Sequence, residues 1–203
     1  MNHGLLLGCT PDCIPLMPVV EGEFEAWLER QDEALRRWLT ATGFKAKPGS
    51  FSLVPGVDGR LRAVVVGLRS ADDLWALGGL PITLPEGDYV LDAQFEPRQL
   101  ERFTLGWALG AYQFARYKTP KRATARLAID PACDGKRIHD YADAIGWVRD
   151  LINTPAEDMM PEHLAEAMQA LGETFGATVE QNSGDELLAH NYPVIHTVGR
   201  ASV

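Results

Sequence analysis

One short stretch concentrates the side chains best suited to chemistry. Residues 152–163 read INTPAEDMMPEH, and they place Glu157, Asp158 and His163 at the start of a helix. Two carboxylates and an imidazole could bind a divalent cation. Acids in that position also stabilise the exposed N–H groups and the positive pole of the helix. We favour the second role, which makes these residues helix caps.

The pattern of cysteines predicts neither a metal site nor a disulfide framework. The chain has three cysteines, an odd number, at Cys9, Cys13 and Cys133, and no secretory signal is visible. Cys9 and Cys13 are spaced CxxxC, but a zinc site needs about four ligands. No second Cys/His pair completes one, since the histidines are scattered at His3, His139, His163, His190 and His196. We therefore predict reduced, structural thiols.

Charge and composition limit the class of partner. The 203 residues carry a net charge of −9, with a pI of about 5.0. Nucleic-acid binders usually carry a basic patch. The only such stretch is Arg116–Arg122, which we interpret as favourable charge at a helix C-terminus. The net negative charge therefore argues against nucleic-acid binding. Leu5–Leu7 is too short an apolar run for a signal peptide or a membrane span, and a cytoplasmic location is predicted.

The elements that position these residues alternate between strands and helices. Helical patterns occur at 22–42, 71–77, 97–117, 138–152, 164–175 and 184–190, and strand patterns at 50–54, 61–68, 89–93, 123–129, 178–181 and 194–198. Residues 5–20 contain three prolines and predict an edge strand or a loop-rich start. The alternation predicts an α/β fold.

Two glycine pairs have different expected roles. Gly106 and Gly110 lie four apart in a helix, so one face is bare and another segment can approach closely. Phosphate loops instead lie between a strand and a helix start, which excludes this pair. Gly78–Gly79–Leu80 breaks the preceding helix and is the best candidate for a ligand-binding loop.

A domain boundary is predicted near residue 150. Residues 1–150 can close one α/β domain. Residues 151–203 supply only two helices and two short strands, too little to bury their own apolar faces. They have the pattern of the first part of a second domain.

Three stretches resemble the leucyl (cytosol) aminopeptidase family. Residues 150–161 (DLINTPAEDMMP) are similar to its NTPANDMTP segment, although Glu157 stands where the family often has Asn. Residues 110–119 (GAYQFARYKT) are similar to its G-x-Y-x-F-x-x-Y-K helix end, and residues 198–202 (VGRAS) to its VG-x-G/A-S end. Order and spacing agree. The resemblance covers about residues 78 to 202, and residues 189–197 depart from the family pattern.

The resemblance implies a cytoplasmic metallopeptidase that removes N-terminal residues, often leucine, from peptides. It implies an α/β macrodomain-like N-terminal domain, residues 1–150, ending in a linker helix. Residues 151–203 would open a larger α/β catalytic domain. Family members assemble as hexamers, and two divalent ions (Mn, Zn or Mg) activate a water for hydrolysis.

The family's metal ligands lie in stretches resembling FDTGG and NTDAEGR, and neither stretch occurs in this sequence. We therefore expect no catalytic, metal-binding or cofactor-binding residue in the chain. It should be inactive alone and serve assembly and substrate access. Two alternatives stay open: a stand-alone macrodomain-like module that binds ADP-ribose or a nucleotide at Gly78–Gly79–Leu80, and a non-catalytic modulator subunit.

Overall fold

The apolar run LRAVVVGL forms an interior strand of a six-stranded sheet. The computed structural model describes residues 3–200 of the chain. The sheet has the strand order β1-β6-β5-β2-β4-β3, and every neighbouring pair is parallel except β3 and β4. The strands are β1 (Leu5–Leu6), β2 (Ile14–Val20), β3 (Phe51–Pro55), β4 (Leu61–Leu68), β5 (Asp88–Leu91) and β6 (Arg126–Ala128).

Helices alternate with these strands and continue after the last one. Those in the described residues are α1 (Phe24–Glu29), α2 (Glu33–Ala41), α3 (Leu80–Thr83), α4 (Pro97–Gly110), α5 (Gly135–Asn153), α6 (Pro161–Phe175), α7 (Glu186–Ala189) and α8 (Pro193–Gly199). The predicted α/β class is confirmed. Contacts divide the chain into two compact units, Met1–Asp150 and Leu151–Val203. Within residues 3–200, no helix has the length and apolar character needed to cross a membrane.

β4 is buried on both of its faces. Val64 belongs to a core that it shares with Trp107 of α4, whereas Val65 belongs to a second core with Leu39 of α2. All four side chains are fully buried. A strand covered on both faces has a continuous apolar sequence instead of an alternating one. The prediction of a buried strand at 61–68 is therefore confirmed.

The bare face of α4 receives another stretch of backbone, as the glycine spacing predicts. A Cβ atom added to Gly106 would lie 1.8 Å from the carbonyl oxygen of Leu74. A Cβ atom added to Gly110 would lie 1.8 Å from the carbonyl oxygen of Gly78. Only glycine permits this approach, so both glycines have a packing role.

The edge-strand prediction for residues 5–20 holds for β1 and is wrong for β2. β2 lies between β5 and β4 despite its two prolines. Pro15 pairs only with β5, and Pro18 pairs only with β4, because the two neighbours cover different parts of β2. Each proline thus needs ladder partners on one side alone, which explains why an interior strand tolerates both.

The helix predicted over residues 22–42 is interrupted at Asp32. Its backbone is extended, and its carboxylate accepts a hydrogen bond of 2.8 Å from the N–H of Leu35, which caps α2. The same carboxylate pairs with Arg62 of β4 at 2.5 Å. The bond to Arg62, followed by the bond to Leu35, lowers the pKa of Asp32. A capping aspartate thus divides a pattern that periodicity alone treats as continuous.

Residues 71–77 form turns instead of the predicted short helix. The carboxylate of Asp73 accepts a hydrogen bond of 2.9 Å from the N–H of Trp75. A short polar side chain thereby takes a backbone group that a helix would need. Helix α3 begins later, at Leu80, with Pro81 in its first turn, where the sequence predicted a helix break.

α4 ends at Gly110, well before its predicted end. The guanidinium of Arg149 on α5 donates a hydrogen bond of 2.6 Å to the carbonyl oxygen of Leu109 in the last turn. Just beyond the helix, the Tyr112 hydroxyl donates to the Asp150 carboxylate at 2.7 Å. Contacts with α5, which are distant in sequence, therefore take the place of a further helical turn.

The strands predicted at 178–181 and 194–198 are wrong. The first stretch has no regular structure, and the second lies in α8. A strand needs a neighbour for its backbone N–H and C=O groups, and the described residues of the second unit contain none. Pro161 starts α6 as predicted. Ala201 and Ser202, in the family-like end of the chain, lie outside the described residues.

We expect Gly106→Ala to lower the free energy of unfolding by about 1–3 kcal/mol, because the added methyl group must displace the backbone at Leu74. Denaturant unfolding measures the change. Gly22→Ala is the matched control, since no atom lies within 4 Å of a Cβ built at Gly22. Equal stability of the two variants would contradict the packing role of Gly106.

Candidate functional site

The acid-rich stretch singled out by the sequence forms the entry to α6. The chain makes a 3-10 turn at Ala156–Asp158 and enters the helix at Pro161. The Nδ1 atom of His163 accepts a hydrogen bond of 3.0 Å from the N–H of Met160. The capping role predicted for His163 is confirmed.

Glu157 and Asp158 lie in the first turn of the 3-10 helix, where acids are electrostatically favourable. Glu157 is exposed, and the N–H of Asp158 donates a 2.9 Å hydrogen bond to the carbonyl oxygen of Pro155. Within residues 3–200, no group of three or more His, Cys, Asp or Glu side chains is placed to hold a metal ion.

The second unit buries almost none of its side chains. Among its described residues, only Thr154 and Gly172 are buried. Phe175 on α6 is 77% exposed and Val194 on α8 is 74% exposed. Large apolar side chains are exposed along both helices, at Leu164, Met168, Phe175, Val194, Ile195 and Val198. Because such helices gain most of their stability from packing, these faces need a further surface to cover them.

The glycine-rich turn at Gly78–Leu80 does not have the geometry of a phosphate loop. Gly78 is held against α4 by the close approach to Gly110. The N–H of Leu80, at the start of α3, donates a 3.1 Å hydrogen bond to the carbonyl oxygen of Leu77. Phosphate binding at a helix start relies on free backbone N–H groups. The turn therefore serves packing and does not favour the nucleotide-binding alternative.

The sequence predicted that the basic stretch Arg116–Arg122 neutralises the C-terminus of the helix before it. This prediction is wrong for α4, because that helix ends at Gly110 with no cation in its last turn. Arg122 instead donates hydrogen bonds to the carbonyl oxygens of Ile82, at 3.2 Å, and of Leu84. Both carbonyls lie at the end of α3. A cation at a helix C-terminus is thus present, but the helix comes from a different part of the chain.

A cavity of about 470 Å³ lies at the carboxyl ends of β1, β5 and β6, where α/β folds commonly bind ligands. Its wall includes Leu7 and Cys9 after β1, Leu91 on β5, and Asp130 and Cys133 after β6. Burial, more than the nearby acids, raises the pKa of the Cys133 thiol to about 11. Among the described lining residues there is one carboxylate and no cation, so the cavity offers nothing to balance a pyrophosphate.

Carboxylates already cap the start of α5, beside this cavity. The Asp134 side chain accepts a 3.0 Å hydrogen bond from the N–H of Arg137. Glu101 on α4 accepts one of 3.1 Å from the N–H of Asp134 and pairs with the Arg137 guanidinium. These two bonds, the backbone one first, lower the pKa of Glu101. An anionic ligand at this helix start would meet charges of its own sign.

Comparison with protein families gives two matches along the chain. Residues 14–130 match the model described as "M17 aminopeptidase, N-terminal domain". Residues 146–203 match the model described as "Cytosol aminopeptidase family, catalytic domain".

Similar proteins carry related names. A probable cytosol aminopeptidase of Xanthobacter autotrophicus is 30% identical over 202 residues, which cover 87% of this chain and 41% of that protein. Peptidase B of Cronobacter sakazakii is 41% identical over 91 residues, 42% of this chain and 21% of the relative. The chain therefore spans less than half the length of these relatives.

Solved structures agree. The cytosol aminopeptidase of Coxiella burnetii superposes with a TM-score of 0.83 at 34% identity, covering 91% of this chain and 40% of that one. The bottromycin maturation enzyme BotP in complex with Mn has a TM-score of 0.65 at 22% identity, covering 87% of this chain and 39% of that one. At that identity, the second likeness concerns the fold alone.

We expect no saturable heat when ADP-ribose is titrated into the chain by calorimetry. The described residues that line the cavity include no cation, and carboxylates already cap the adjacent helix start. Titration of ADP-ribose into buffer supplies the reference heat. A saturating isotherm would contradict this view and restore the nucleotide-binding alternative.

We expect His163→Ala to loosen the first turn of α6 by about 1 kcal/mol, which corresponds to a roughly fivefold faster amide exchange there. The variant removes the acceptor for the N–H of Met160. Hydrogen exchange of the Leu164 amide, which donates to the Met160 carbonyl oxygen at 3.1 Å, gives the readout. His190→Ala, at an exposed position, is the control. Unchanged amide exchange in His163→Ala would contradict the capping role of His163.

Proposed function

Because the chain belongs to the M17 aminopeptidase family, we propose that it forms the N-terminal part of a cytosolic leucyl aminopeptidase. That enzyme removes N-terminal amino acids from peptides by two-metal hydrolysis, with Mn, Zn or Mg as the divalent ions. The observation that carries the proposal is the succession of an N-terminal-domain match and a catalytic-domain match along one chain.

The proposed domains are residues 1–150 and residues 151–203. The first unit contains both hydrophobic cores and the whole sheet among its described residues. The second contributes α6 to α8 with exposed apolar faces and opens the catalytic domain. The division of the chain into compact units at Asp150 supports this boundary.

The chemistry of such an enzyme is proposed to lie outside the described residues. When bound, a pair of divalent ions would activate a water and hold the amino terminus of the peptide. Residues 3–200 hold no ligand cluster for such ions. The 203-residue chain is therefore proposed to be inactive alone.

The role proposed for this part of the enzyme is assembly and substrate access, within a homo-oligomer that is a hexamer. A sheet with two covered faces is a rigid body that can shape an entrance without taking part in bond breaking. The exposed apolar faces of α6 and α8 support the need for further protein surface around residues 151–200.

We expect the protein isolated from its natural source to hydrolyse leucine 4-nitroanilide in a chelator-sensitive manner, with Mn²⁺ restoring the rate. The polypeptide of residues 1–203, assayed under the same conditions, should give no rate above buffer. The intact mass of the natural protein, measured alongside, should exceed 22.3 kDa.

Two outcomes would contradict the proposal. Metal-dependent hydrolysis by the 203-residue polypeptide would place the chemistry within these residues. A natural protein with a mass of 22.3 kDa and no activity would make the modulator subunit the better account.

A further inference from the structure

The loop between β1 and β2 brings two cysteines together. Pro11 and Asp12 occupy the centre of a turn in which the N–H of Cys13 donates a 3.0 Å hydrogen bond to the carbonyl oxygen of Thr10. Proline and aspartate are typical of those turn positions. The Cys9 thiol donates to the same carbonyl oxygen, also at 3.0 Å. The turn thus directs the Cys9 thiol and the Cys13 N–H to the same carbonyl oxygen.

The two cysteines lie on one tight turn and differ in access to solvent. The neighbouring Cys13 side chain is the largest cause that raises the pKa of Cys9 to about 11. Cys9 is exposed, whereas Cys13 is only 8% exposed. Cys9 is therefore the thiol that a small disulfide can reach, and its raised pKa makes the attack slow.

We propose that Cys9 and Cys13 form a redox modification site, at which a low-molecular-mass disulfide such as oxidised glutathione converts the two thiols into an intramolecular disulfide. The site is separate from the peptidase chemistry of the proposed function, and it does not depend on it.

The exchange balances in two steps. Cys9 loses its proton to solvent, and its sulfur attacks one sulfur of oxidised glutathione. The glutathione S–S bond breaks, one glutathione thiolate leaves, and Cys9 carries a mixed disulfide. Cys13 then loses its proton and attacks the Cys9 sulfur, which releases the second glutathione thiolate. The protein thiols lose two electrons, and glutathione gains them.

The chemical setting makes this exchange slow at neutral pH. The neighbouring Cys13 side chain, followed by partial desolvation and the negative charge of Asp88 on β5, favours the protonated form of Cys9. Only the thiolate attacks, so its population, and with it the rate, rises about tenfold per pH unit below the pKa. The pair therefore stays reduced under mild conditions and responds to strong or prolonged oxidation.

A Cys9–Cys13 disulfide would affect the cavity at the carboxyl ends of β1, β5 and β6. Leu7, Gly8 and Cys9 form one of its walls, and Cys9 is also the first residue of the loop 9–13 that the disulfide would close. A covalent link between Cys9 and Cys13 therefore restricts this wall at its Cys9 end. Cys133 lies on another wall of the same cavity and is the competing partner for Cys9.

Tryptic mapping distinguishes the two pairings. The first Lys or Arg of the sequence is Arg30, so Cys9 and Cys13 share the peptide 1–30, while Cys133 lies in the peptide 127–136. After incubation of the full chain with oxidised glutathione at about pH 9, we expect peptide 1–30 to lose the mass of two hydrogen atoms. Peptide 127–136 should keep a thiol that can be alkylated. The rate should fall about a hundredfold at about pH 7.

Two variants test the roles of the sulfurs. Cys13→Ser should stop at the mixed disulfide and gain one glutathionyl group on Cys9. Cys133→Ser should behave as the unchanged chain. A cross-link between peptides 1–30 and 127–136 in the unchanged chain, a mixed disulfide that persists there, or unreacted thiols at about pH 9 would each overturn the proposal.

Discussion

Burial of apolar side chains on both faces of one sheet holds residues 3–150 together. β4 supplies Val64 to one core and Val65 to the other, so its neighbours in space must be helices on both sides. Trp107 of α4 is fully buried and also donates a 3.0 Å hydrogen bond from its indole N–H to the carbonyl oxygen of Gly4. This bond fixes the start of the chain beside β6. Burying a side chain of this size contributes roughly 1.5–3 kcal/mol, so these few residues matter for the whole unit.

Periodicity predicts the elements whose neighbours are the core itself. β4 follows from its continuous apolar run, because the cores on both of its faces decide its structure. α5 and α6 follow from helical spacing alone, since much of the apolar face of each is exposed. The misassigned elements are those in which one polar side chain competes for the backbone. Asp32 divides the first helix, and Asp73 replaces a helical turn. Arg149 donates a hydrogen bond to the carbonyl oxygen of Leu109 at the end of α4, and no local sequence pattern connects these two residues.

In the candidate site, too, contacts between residues near in sequence could be predicted and contacts between distant residues could not. The cap made by His163 could be predicted, since its partner is only three residues away. The partners of Arg122 could not, because α3 lies about forty residues earlier in the chain. The cavity at the ends of β1, β5 and β6 depends on strand order, and a single sequence does not fix that order. The spacing of Cys9 and Cys13 was visible, but the turn at Pro11 and Asp12 decides that both residues donate to the carbonyl oxygen of Thr10.

In the proposed enzyme, the exposed apolar faces of α6 and α8 need protein surface to cover them. α6 and α8 are short, and isolated helices of this length are marginal in water. Their apolar faces include Phe175 and Val194, which are largely exposed. Residues 146–203 match the catalytic-domain model, and on the proposed function the remainder of such a domain covers these faces. On the proposed function, that remainder also carries the metal ligands. The packing of α6 and α8 and the placement of the catalytic ions then depend on the same domain.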